Sequence, residues 1–153
     1  MISGTEVGNG FDVVVFDYDG VCTPSSGEFI ASRAMPLAPL RPLLSPVVAE
    51  LRGRGSTIVL LSNEFDRDWI EQIDGFPEFD HVLVGSDNRI FKPDRRAFQR
   101  VLHATECEAA RCLVIDDDEA NVRVARSIGC EAVHFDPADV ESSWTAVLNA
   151  QHR

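Results

Sequence analysis

The sequence predicts a single-domain α/β protein in which a doubly wound parallel sheet carries helices on both faces. The first observation behind this prediction is a series of continuous apolar runs of strand length. The second is that segments with helical spacing separate these runs, as in proteins with parallel sheets. The third is size, because 153 residues with 44% hydrophobic content fill one core and leave no room for a second domain. We expect a flexible N-terminus at residues 1–10 and one domain at residues 11–150.

Each predicted strand is an apolar run that ends at a polar residue or a glycine. Such runs lack the alternation of half-exposed strands and are typical of strands that are buried on both faces. The predicted strands are Val13–Phe16, Thr57–Leu61, His81–Val84, Cys112–Ile115 and Ala132–Phe135.

Segments with helical spacing lie between these runs. Ser45 and Pro46 predict the start of the first helix, with the serine as N-cap and the proline at the first helical position, and this helix is expected to run to about Gly53. The apolar residues of the other three helices are Trp69, Ile70 and Ile73 before Gly75; Ala97, Phe98, Val101 and Leu102 after Pro93 and Asp94; and Val122, Ala125 and Ile128 before Gly129.

The stretch from Met35 to Pro46 fits neither period, because prolines interrupt its leucines. We interpret it as an extended connection that packs over the core. The alternative is an apolar patch that binds a partner or a substrate, since exposed apolar surface often marks contact sites.

The chain is strongly acidic, with a formal net charge of −11 and a pI near 4.6. This charge argues against binding to nucleic acid or to an anionic membrane, because both depend on clustered Lys and Arg. The apolar runs fall well short of the roughly 20 residues of a membrane helix, and the N-terminus lacks a signal-peptide pattern. The four cysteines have neither metal-ligand nor paired-thiol spacing. A reduced, cytoplasmic protein is expected.

Polar side chains follow several of the predicted strands at the point where each strand ends. In parallel α/β sheets these ends meet at one edge, where ligands bind. Carboxylates gathered there repel one another, by roughly 4 kcal/mol for two unit charges about 4 Å apart at an effective dielectric constant near 20. Although one such aspartate alone would be interpreted as a turn residue, the whole set predicts a site for a hard cation such as Mg²⁺. The residues are Asp17, Asp19, Ser62, Asn63, Asp116 and Asp117.

Lys92 is the only lysine of the chain, in which the other long basic side chains are all arginine. A chain so rich in arginine is expected to use lysine only where a compact ammonium on a flexible stem is needed. Phosphate bound inside an acidic site is such a need, whereas the alternative is a chance surface lysine. Lys92 is therefore a candidate phosphate-site residue.

Four segments resemble, in order, the signature motifs of the haloacid dehalogenase (HAD) superfamily of hydrolases. They are VVVFDYDGV, TIVLLSN, FKPD and CLVIDDDEANVRVARSIG, and the resemblance covers about residues 11–136. Any one motif is weak by itself, but four in order are specific. The resemblance implies a HAD-like, Rossmann-like domain of the phosphatase type.

The resemblance also implies catalytic roles. Asp17 resembles the nucleophile, and Asp19 resembles the general acid that protonates the leaving oxygen and then activates water. Ser62 and the backbone of Asn63 resemble the group that holds the phosphate. Lys92 resembles the cation that neutralises the nucleophile and the transferring phosphoryl group.

The metal site follows from the same resemblance. Asp116 and Asp117 resemble the pair that holds magnesium, joined by Asp17 and by the backbone carbonyl of Asp19. The implied activity is Mg²⁺-dependent hydrolysis of a phosphate monoester, on a small molecule or a macromolecule, through an aspartyl-phosphate.

Many relatives insert a helical cap of several tens of residues between the first and second motifs. Here Asp17 and Ser62 are only 45 positions apart, and part of that stretch is the helix before the second strand. The cap is therefore expected to be absent or vestigial. Uncapped relatives often act on macromolecules or use a neighbouring subunit as a lid, so a homo-oligomer is expected.

Other interpretations fit these residues less well. Dehalogenases of the superfamily lack an acid at the position of Asp19. A cysteine-dependent phosphatase needs an arginine at a fixed spacing after its cysteine, and no cysteine here is followed by one at that spacing. In a response-regulator receiver domain the acidic pair precedes the lysine, which is the reverse of the order here. The remaining alternative is a HAD-fold domain without turnover that serves as a binding or regulatory subunit.

Overall fold

The structure is a computed structural model that describes residues 10–24, 40–63, 68, 75 and 77–151. Three features discussed above lie wholly or partly outside these residues. They are the N-terminus at residues 1–9, residues 35–39 of the proline-rich stretch, and the helix predicted at residues 69–73.

The described residues contain one sheet of five parallel strands. The strands are β1 (Val13–Phe16), β2 (Thr57–Ser62), β3 (His81–Val84), β4 (Cys112–Asp116) and β5 (Glu131–His134). Their order across the sheet is β3-β2-β1-β4-β5, so the first strand lies at the centre. The predicted doubly wound parallel sheet is confirmed, and no strand boundary differs from its prediction by more than one residue.

Helices cover both faces of the sheet. Within the described residues they are α1 (Leu44–Gly53), α2 (Arg95–Thr105), α3 (Glu119–Ser127) and α4 (Val140–Asn149), with short 3₁₀ turns at Gly85–Asp87 and Ala109–Arg111. None of these described helices is long and apolar enough to cross a membrane.

The side chains of each strand alternate between two apolar layers. In β1, Val14 and Phe16 pack in the layer that contains α1 and α4. Val13 and Val15 pack on the opposite face, against α2 and α3. Because both faces are covered, the polar side chains of the sheet gather at the ends of its strands.

The predicted N-cap of α1 is wrong. The helix begins at Leu44, its N-cap is Leu43 without a side-chain hydrogen bond, and Ser45 lies inside the first turn. The Leu44 N–H donates to the Arg41 carbonyl at 3.0 Å and the Leu44 side chain is fully buried, so a turn and an apolar anchor start the helix before the serine. Pro46 is tolerated because N–H groups in the first turn have no partner within the helix.

The predicted start of α2 and the predicted end of α3 are confirmed. The Asp94 carboxylate accepts a hydrogen bond from the Arg96 N–H at 2.9 Å and caps α2. Asp118 caps α3 in the same way, accepting from the Ala120 N–H at 2.8 Å. Helix α3 stops before Gly129, whose φ of 100° lies in the left-handed region that glycine adopts easily.

Helix α4 is absent from the sequence-based prediction. Its N-cap Asp139 accepts a hydrogen bond from the Ser142 N–H at 3.3 Å, and Trp144 and Val147 lie on its buried face. A cap residue followed by apolar residues at this spacing is a helix signal, so the sequence did contain the information.

Candidate active site

The carboxyl ends of three neighbouring strands bring predicted site residues together. Asp17 follows β1, Ser62 ends β2 and Asp116 ends β4. Strand β1 pairs with β2 on one side and with β4 on the other, so these ends are adjacent. Ser62 and Asp116 are polar, yet only 3% and 1% of their surface is exposed. Buried polar side chains need partners, and the site supplies them.

Lys92 lies between two of the carboxylates. Its Nζ donates to Asp17 Oδ1 at 2.7 Å and to Asp116 Oδ2 at 2.8 Å, and only 3% of its side chain is exposed. Burial lowers the pKa of Lys92, but the two carboxylates outweigh burial and raise the pKa above its usual value. Lys92 is therefore a buried cation and not a chance surface lysine.

Three carboxylates converge where a metal ion could bind. One oxygen atom from each of Asp17, Asp116 and Asp117 lies within 4.8 Å of the others. Burial raises the pKa of Asp17, against the opposing effect of Lys92, and burial also raises the pKa of Asp117. The single positive charge of Lys92 cannot balance the negative charges of three carboxylates, so a further cation suits the site. The donor atoms are all oxygen, which fits a hard divalent cation such as Mg²⁺.

A tight turn after Asp17 shapes the same site. Asp19 is half-buried, forms a backbone bridge with Thr23, and adds to the charges that raise the pKa of Asp117. Gly20 has a φ of 89°, and a Cβ at this position would lie 2.2 Å from Asp117 Oδ2. Only glycine therefore leaves room for Asp117 beside the turn.

Asn121 on α3 holds Asp116 in place and was not among the predicted site residues. Its Nδ2 donates to Asp116 Oδ2 at 3.1 Å, while the Asp118 N–H donates to Asp116 Oδ1 at 2.9 Å. Asn121 is 6% exposed, and its Oδ1 is buried without a hydrogen-bond partner among the described residues. An asparagine on the buried helix face formed by Val122 and Ala125 is the signal that would have identified it.

Asn63 contacts Lys92 through its side chain. The Asn63 Nδ2 donates to the Lys92 carbonyl at 3.0 Å, and the Asn63 Oδ1 accepts from the Lys92 N–H at 2.8 Å. The sequence-based role of Asn63 involved only its backbone, so this side-chain contact goes beyond that prediction.

Arg41, in the proline-rich stretch, holds the turn that follows Asp19. Its Nη2 donates to the Gly20 carbonyl at 2.9 Å, and its Nε donates to the Val21 carbonyl at 3.1 Å. The guanidinium group lies over the Phe135 ring, 5.2 Å from its centroid. Within the described part of the stretch, residues 40–43 are thus a connection packed against the site, and residues 44–46 belong to α1. Nothing in the sequence pattern marks Arg41 for this contact.

Comparison with known proteins identifies the family. A sequence model described as haloacid dehalogenase-like hydrolase matches residues 33–129, which is more than half of the chain. The match contains Lys92 and Asp116 and begins after Asp17. A 97-residue segment, 62% of the chain, is 27% identical to acyl-CoA dehydrogenase family member 10 of Mus musculus, and it spans 9% of that protein's length.

Solved structures share the fold at low sequence identity. A HAD family enzyme from Bacteroides thetaiotaomicron, crystallised with magnesium, has a TM-score of 0.71 at 14% identity, over 92% of this chain and 100% of that one. The same enzyme has been crystallised with magnesium and inorganic phosphate. A 2-haloacid dehalogenase from Pseudomonas syringae pv. Tomato has a TM-score of 0.67 at 13% identity, over 84% of this chain and 87% of that one. With this shared fold, the sequence match establishes that the chain belongs to the haloacid dehalogenase-like hydrolase family.

Proposed function

We propose that the protein is a magnesium-dependent phosphate-monoester hydrolase that forms an aspartyl-phosphate on Asp17. The observation that carries this proposal is the contact of Asp17 with Lys92 inside a group of three carboxylates. A carboxylate oriented by a buried ammonium is available as a nucleophile, and the same ammonium can neutralise an incoming phosphoryl group. Asp19, two positions further along, supplies the second carboxyl group that hydrolysis of a phosphate ester uses.

The oxygen-rich cluster is the proposed magnesium site. Asp17 and Asp117 would hold the ion with their carboxylates, and Asp19 with its backbone carbonyl. Asp116 lies beside them, and because it accepts hydrogen bonds from Lys92 and from α3, its main task is to hold the lysine. When bound, Mg²⁺ supplies positive charge that stabilises the phosphoryl oxygens. The magnesium complex of the Bacteroides enzyme supports the choice of magnesium as the ion.

In the first step, Asp17 attacks phosphorus, the bond from phosphorus to the ester oxygen breaks, and Asp19 donates a proton to that oxygen. Lys92 Nζ, 2.7 Å from Asp17 Oδ1, orients the attacking carboxylate and offsets its charge against the phosphoryl group. The Ser62 side chain and the Asn63 N–H are proposed to hold the phosphoryl oxygens.

In the second step, Asp19, now ionised, takes a proton from a water molecule, and that water attacks phosphorus. The bond from phosphorus to Asp17 breaks, which releases phosphate and restores both carboxyl groups. Asp19 therefore changes its protonation state twice in each turnover. Asp19 lies half-buried on the turn that follows Asp17.

Hydrolysis of 2-haloacids is the main competing activity, since a dehalogenase shares the fold. A halide leaves as an anion and needs no proton, so a dehalogenase has no use for a second acid beside its nucleophile. Asp19 therefore favours a phosphate ester. The other alternative is a HAD-fold subunit without turnover, and the presence of Asp17, Asp19 and Lys92 together favours an active enzyme.

The substrate is expected to be phosphorylated, on a small molecule or on a macromolecule. Only 15 residues separate Pro24 from Leu40, which is too few for a helical cap of several tens of residues, so a macromolecular substrate stays part of the proposal. A homo-oligomer in which a neighbouring subunit covers the site stays a prediction, and light scattering would measure it. The cytoplasmic location also stays a prediction.

The test is hydrolysis of p-nitrophenyl phosphate by the wild-type protein with Mg²⁺ and with EDTA. We expect turnover only with Mg²⁺, and its loss in Asp17→Asn, which keeps the shape of the side chain and removes the nucleophile. In Asp19→Asn the first step still proceeds with this good leaving group, so the phosphoryl mass on Asp17 is expected to accumulate in a mass spectrum.

Three outcomes would contradict the proposal. Release of chloride from 2-chloropropionate without hydrolysis of any phosphate ester would assign a dehalogenase. Turnover that survives in Asp17→Asn, or that is absent from folded wild-type protein with Mg²⁺, would reject the aspartyl-phosphate mechanism.

A further inference from the structure

We infer that the side chain of Asn63 is a positioning residue for Lys92, fixing the lysine backbone so that its ammonium group reaches Asp17. The inference rests on the proposed function, because it concerns the lysine that the proposed mechanism uses. It gives the Asn63 side chain a task separate from the phosphate contact proposed for the Asn63 backbone.

The contact is a two-point clamp on a single residue. The Asn63 Oδ1 accepts from the Lys92 N–H at 2.8 Å while its Nδ2 donates to the Lys92 carbonyl at 3.0 Å. Lys92 lies outside the helices and strands, between a 3₁₀ turn and α2. Among the described residues, these two hydrogen bonds are the only ones to its peptide groups. The side-chain amide of Asn63 thus satisfies both the N–H and the carbonyl of Lys92, as a neighbouring strand does for a residue within a sheet.

The clamp matters because lysine has a long and flexible stem. Its ammonium group has two carboxylate partners, Asp17 at 2.7 Å and Asp116 at 2.8 Å, and both hydrogen bonds are already short. With the ammonium group held at one end and the backbone at the other, the side chain spans a set distance. A shift of the backbone would lengthen the contact with Asp17, and a misplacement of about 1 Å can reduce catalysis on the order of a hundredfold.

The position of Asn63 in the fold explains why this residue can set the distance. It directly follows Ser62, the last residue of β2, which is paired with Val84 at the end of β3. The chain then leaves β3 and returns to the site at Lys92, so the Asn63 amide closes this loop onto the end of β2. This one contact between Asn63 and Lys92 thereby sets the relative positions of the Ser62 hydroxyl, the Asn63 N–H and the Lys92 ammonium group.

The experiment uses three substitutions in the full chain. Asn63→Leu removes both hydrogen bonds at similar size, and Asn63→Asp keeps the acceptor for the Lys92 N–H but loses the donor. Asn149→Ala, at the exposed end of α4, is the matched control for loss of a surface asparagine. Rates are measured with Mg²⁺ and 2,4-dinitrophenyl phosphate, whose good leaving group keeps low rates measurable, in the wild-type background and in Lys92→Met.

We expect kcat of Asn63→Leu to fall between about tenfold and a hundredfold, with a smaller change in KM. In the Lys92→Met background the same substitution should have almost no further effect, because the residue that it positions is gone. An equal fall in both backgrounds would overturn the inference, since it would show that the Asn63 side chain acts on the phosphate or on the fold and not through Lys92.

A second readout needs no activity. Hydrogen exchange of the Lys92 amide, followed by NMR, is expected to be roughly tenfold faster in Asn63→Leu and near the wild-type rate in Asn63→Asp and Asn149→Ala. Unchanged exchange in Asn63→Leu would overturn the clamp. If the wild-type protein hydrolyses no phosphate ester, the proposed function fails, and exchange at the Lys92 amide by itself then decides whether Asn63 holds the lysine.

Discussion

The two ends of the sheet hold ion pairs of similar length in opposite surroundings. At the carboxyl end, Lys92 lies 2.7 Å from Asp17 and 2.8 Å from Asp116, and the three side chains are 3%, 12% and 1% exposed. At the amino end, Arg111 lies 2.6 Å from Asp12, and these side chains are 34% and 53% exposed. The two ends of the sheet therefore differ in how deeply their ion pairs are buried. Breaking a buried pair leaves a charge that water cannot reach, whereas breaking an exposed pair does not.

This difference distinguishes the carboxyl end of the sheet, where the candidate site lies, from the amino end. Apolar side chains fill both faces, so the fold itself has no need of a buried charge. Burial nevertheless raises the pKa of both Asp17 and Asp117, which means that the folded chain holds these carboxylates in surroundings that disfavour their charged form. Groups held in this way are typical of catalytic and metal-binding sites.

The largest expected effect comes from Lys92→Met. Removing the ammonium group leaves Asp17 and Asp116 facing each other without their shared partner, so the free energy of unfolding in metal-free buffer should fall by about 3–5 kcal/mol. Phosphatase activity should fall at least on the order of a hundredfold. Urea unfolding and the aryl phosphate assay measure the two effects.

Arg111→Met is the matched substitution at the amino end. It breaks the exposed pair with Asp12, and we expect activity to stay the same and stability to change little. Equal losses of stability in Lys92→Met and Arg111→Met would show that burial does not separate the two ends, and the comparison would fail.

Alanine substitutions at two glycines test the same difference between the two ends of the sheet. Gly20 and Gly55 have φ values of 89° and 96°, so alanine is strained at either position, by roughly 1–2 kcal/mol. Only Gly20→Ala also places a Cβ against Asp117, and its affinity for Mg²⁺ should fall by about tenfold to a hundredfold. Among the described residues nothing lies within 4 Å of a Cβ at Gly55, so Gly55→Ala should bind Mg²⁺ normally. Thermal unfolding and the Mg²⁺ dependence of activity distinguish the two variants, and equal Mg²⁺ affinity would contradict the assigned position of Asp117.

Magnesium should stabilise the carboxyl end and leave the amino end unaffected. A ligand that binds only the folded state at about 100 times its Kd stabilises that state by roughly 2.7 kcal/mol. We expect a gain of this order for the wild-type protein in thermal unfolding with Mg²⁺ against EDTA, and a much smaller gain for Asp117→Asn. Asp12→Asn should keep the full gain. A full gain in Asp117→Asn would place the ion elsewhere.

Local signals in the sequence predicted most of the fold. Strands β1 and β3 were predicted to the residue because their apolar runs stop at polar or glycine residues. The start of α1 was misplaced because the turn at Arg41 and the burial of Leu44 outweigh the preference of Ser45 for an N-cap. Helix α4 has an adequate signal in its cap Asp139 and in the apolar Trp144, so this helix is predictable from the sequence.

The site was less predictable, because its contacts join residues far apart in the chain. Each of the carboxylates stands at a strand end that the apolar runs already located. The side-chain contact of Asn63 with Lys92, in contrast, spans 29 positions, and that of Arg41 with Gly20 spans 21. One sequence contains no information on which distant backbone group an amide or a guanidinium group will meet, so these contacts required the structure.

The smallest expected effect comes from Asp80 at the amino end. Its carboxylate accepts from Arg52 Nη1 at 2.9 and 3.0 Å and from the Ile58 N–H at 2.8 Å. Burial by itself would raise the pKa of Asp80, but the hydrogen bonds from Ile58 and Arg52 outweigh it and hold the pKa below its usual 3.8. A lowered pKa means that the ionised form is favoured in the folded state, so this stabilisation is present above about pH 4 and is lost as the pH falls through the folded value.

Asp80→Asn should therefore lower the free energy of unfolding at pH 7 by only roughly 0.5–1 kcal/mol, because both side chains of the pair are 38% exposed and water screens them. The difference from wild type should shrink towards about pH 3, and phosphatase activity at pH 7 should not change. Urea unfolding at the two pH values measures the effect. A difference that persists at low pH would assign the contribution of Asp80 to packing. A loss of unfolding free energy at pH 7 as large as that of Lys92→Met would contradict the comparison, because charge at the amino end would then matter as much as the buried charge at the carboxyl end.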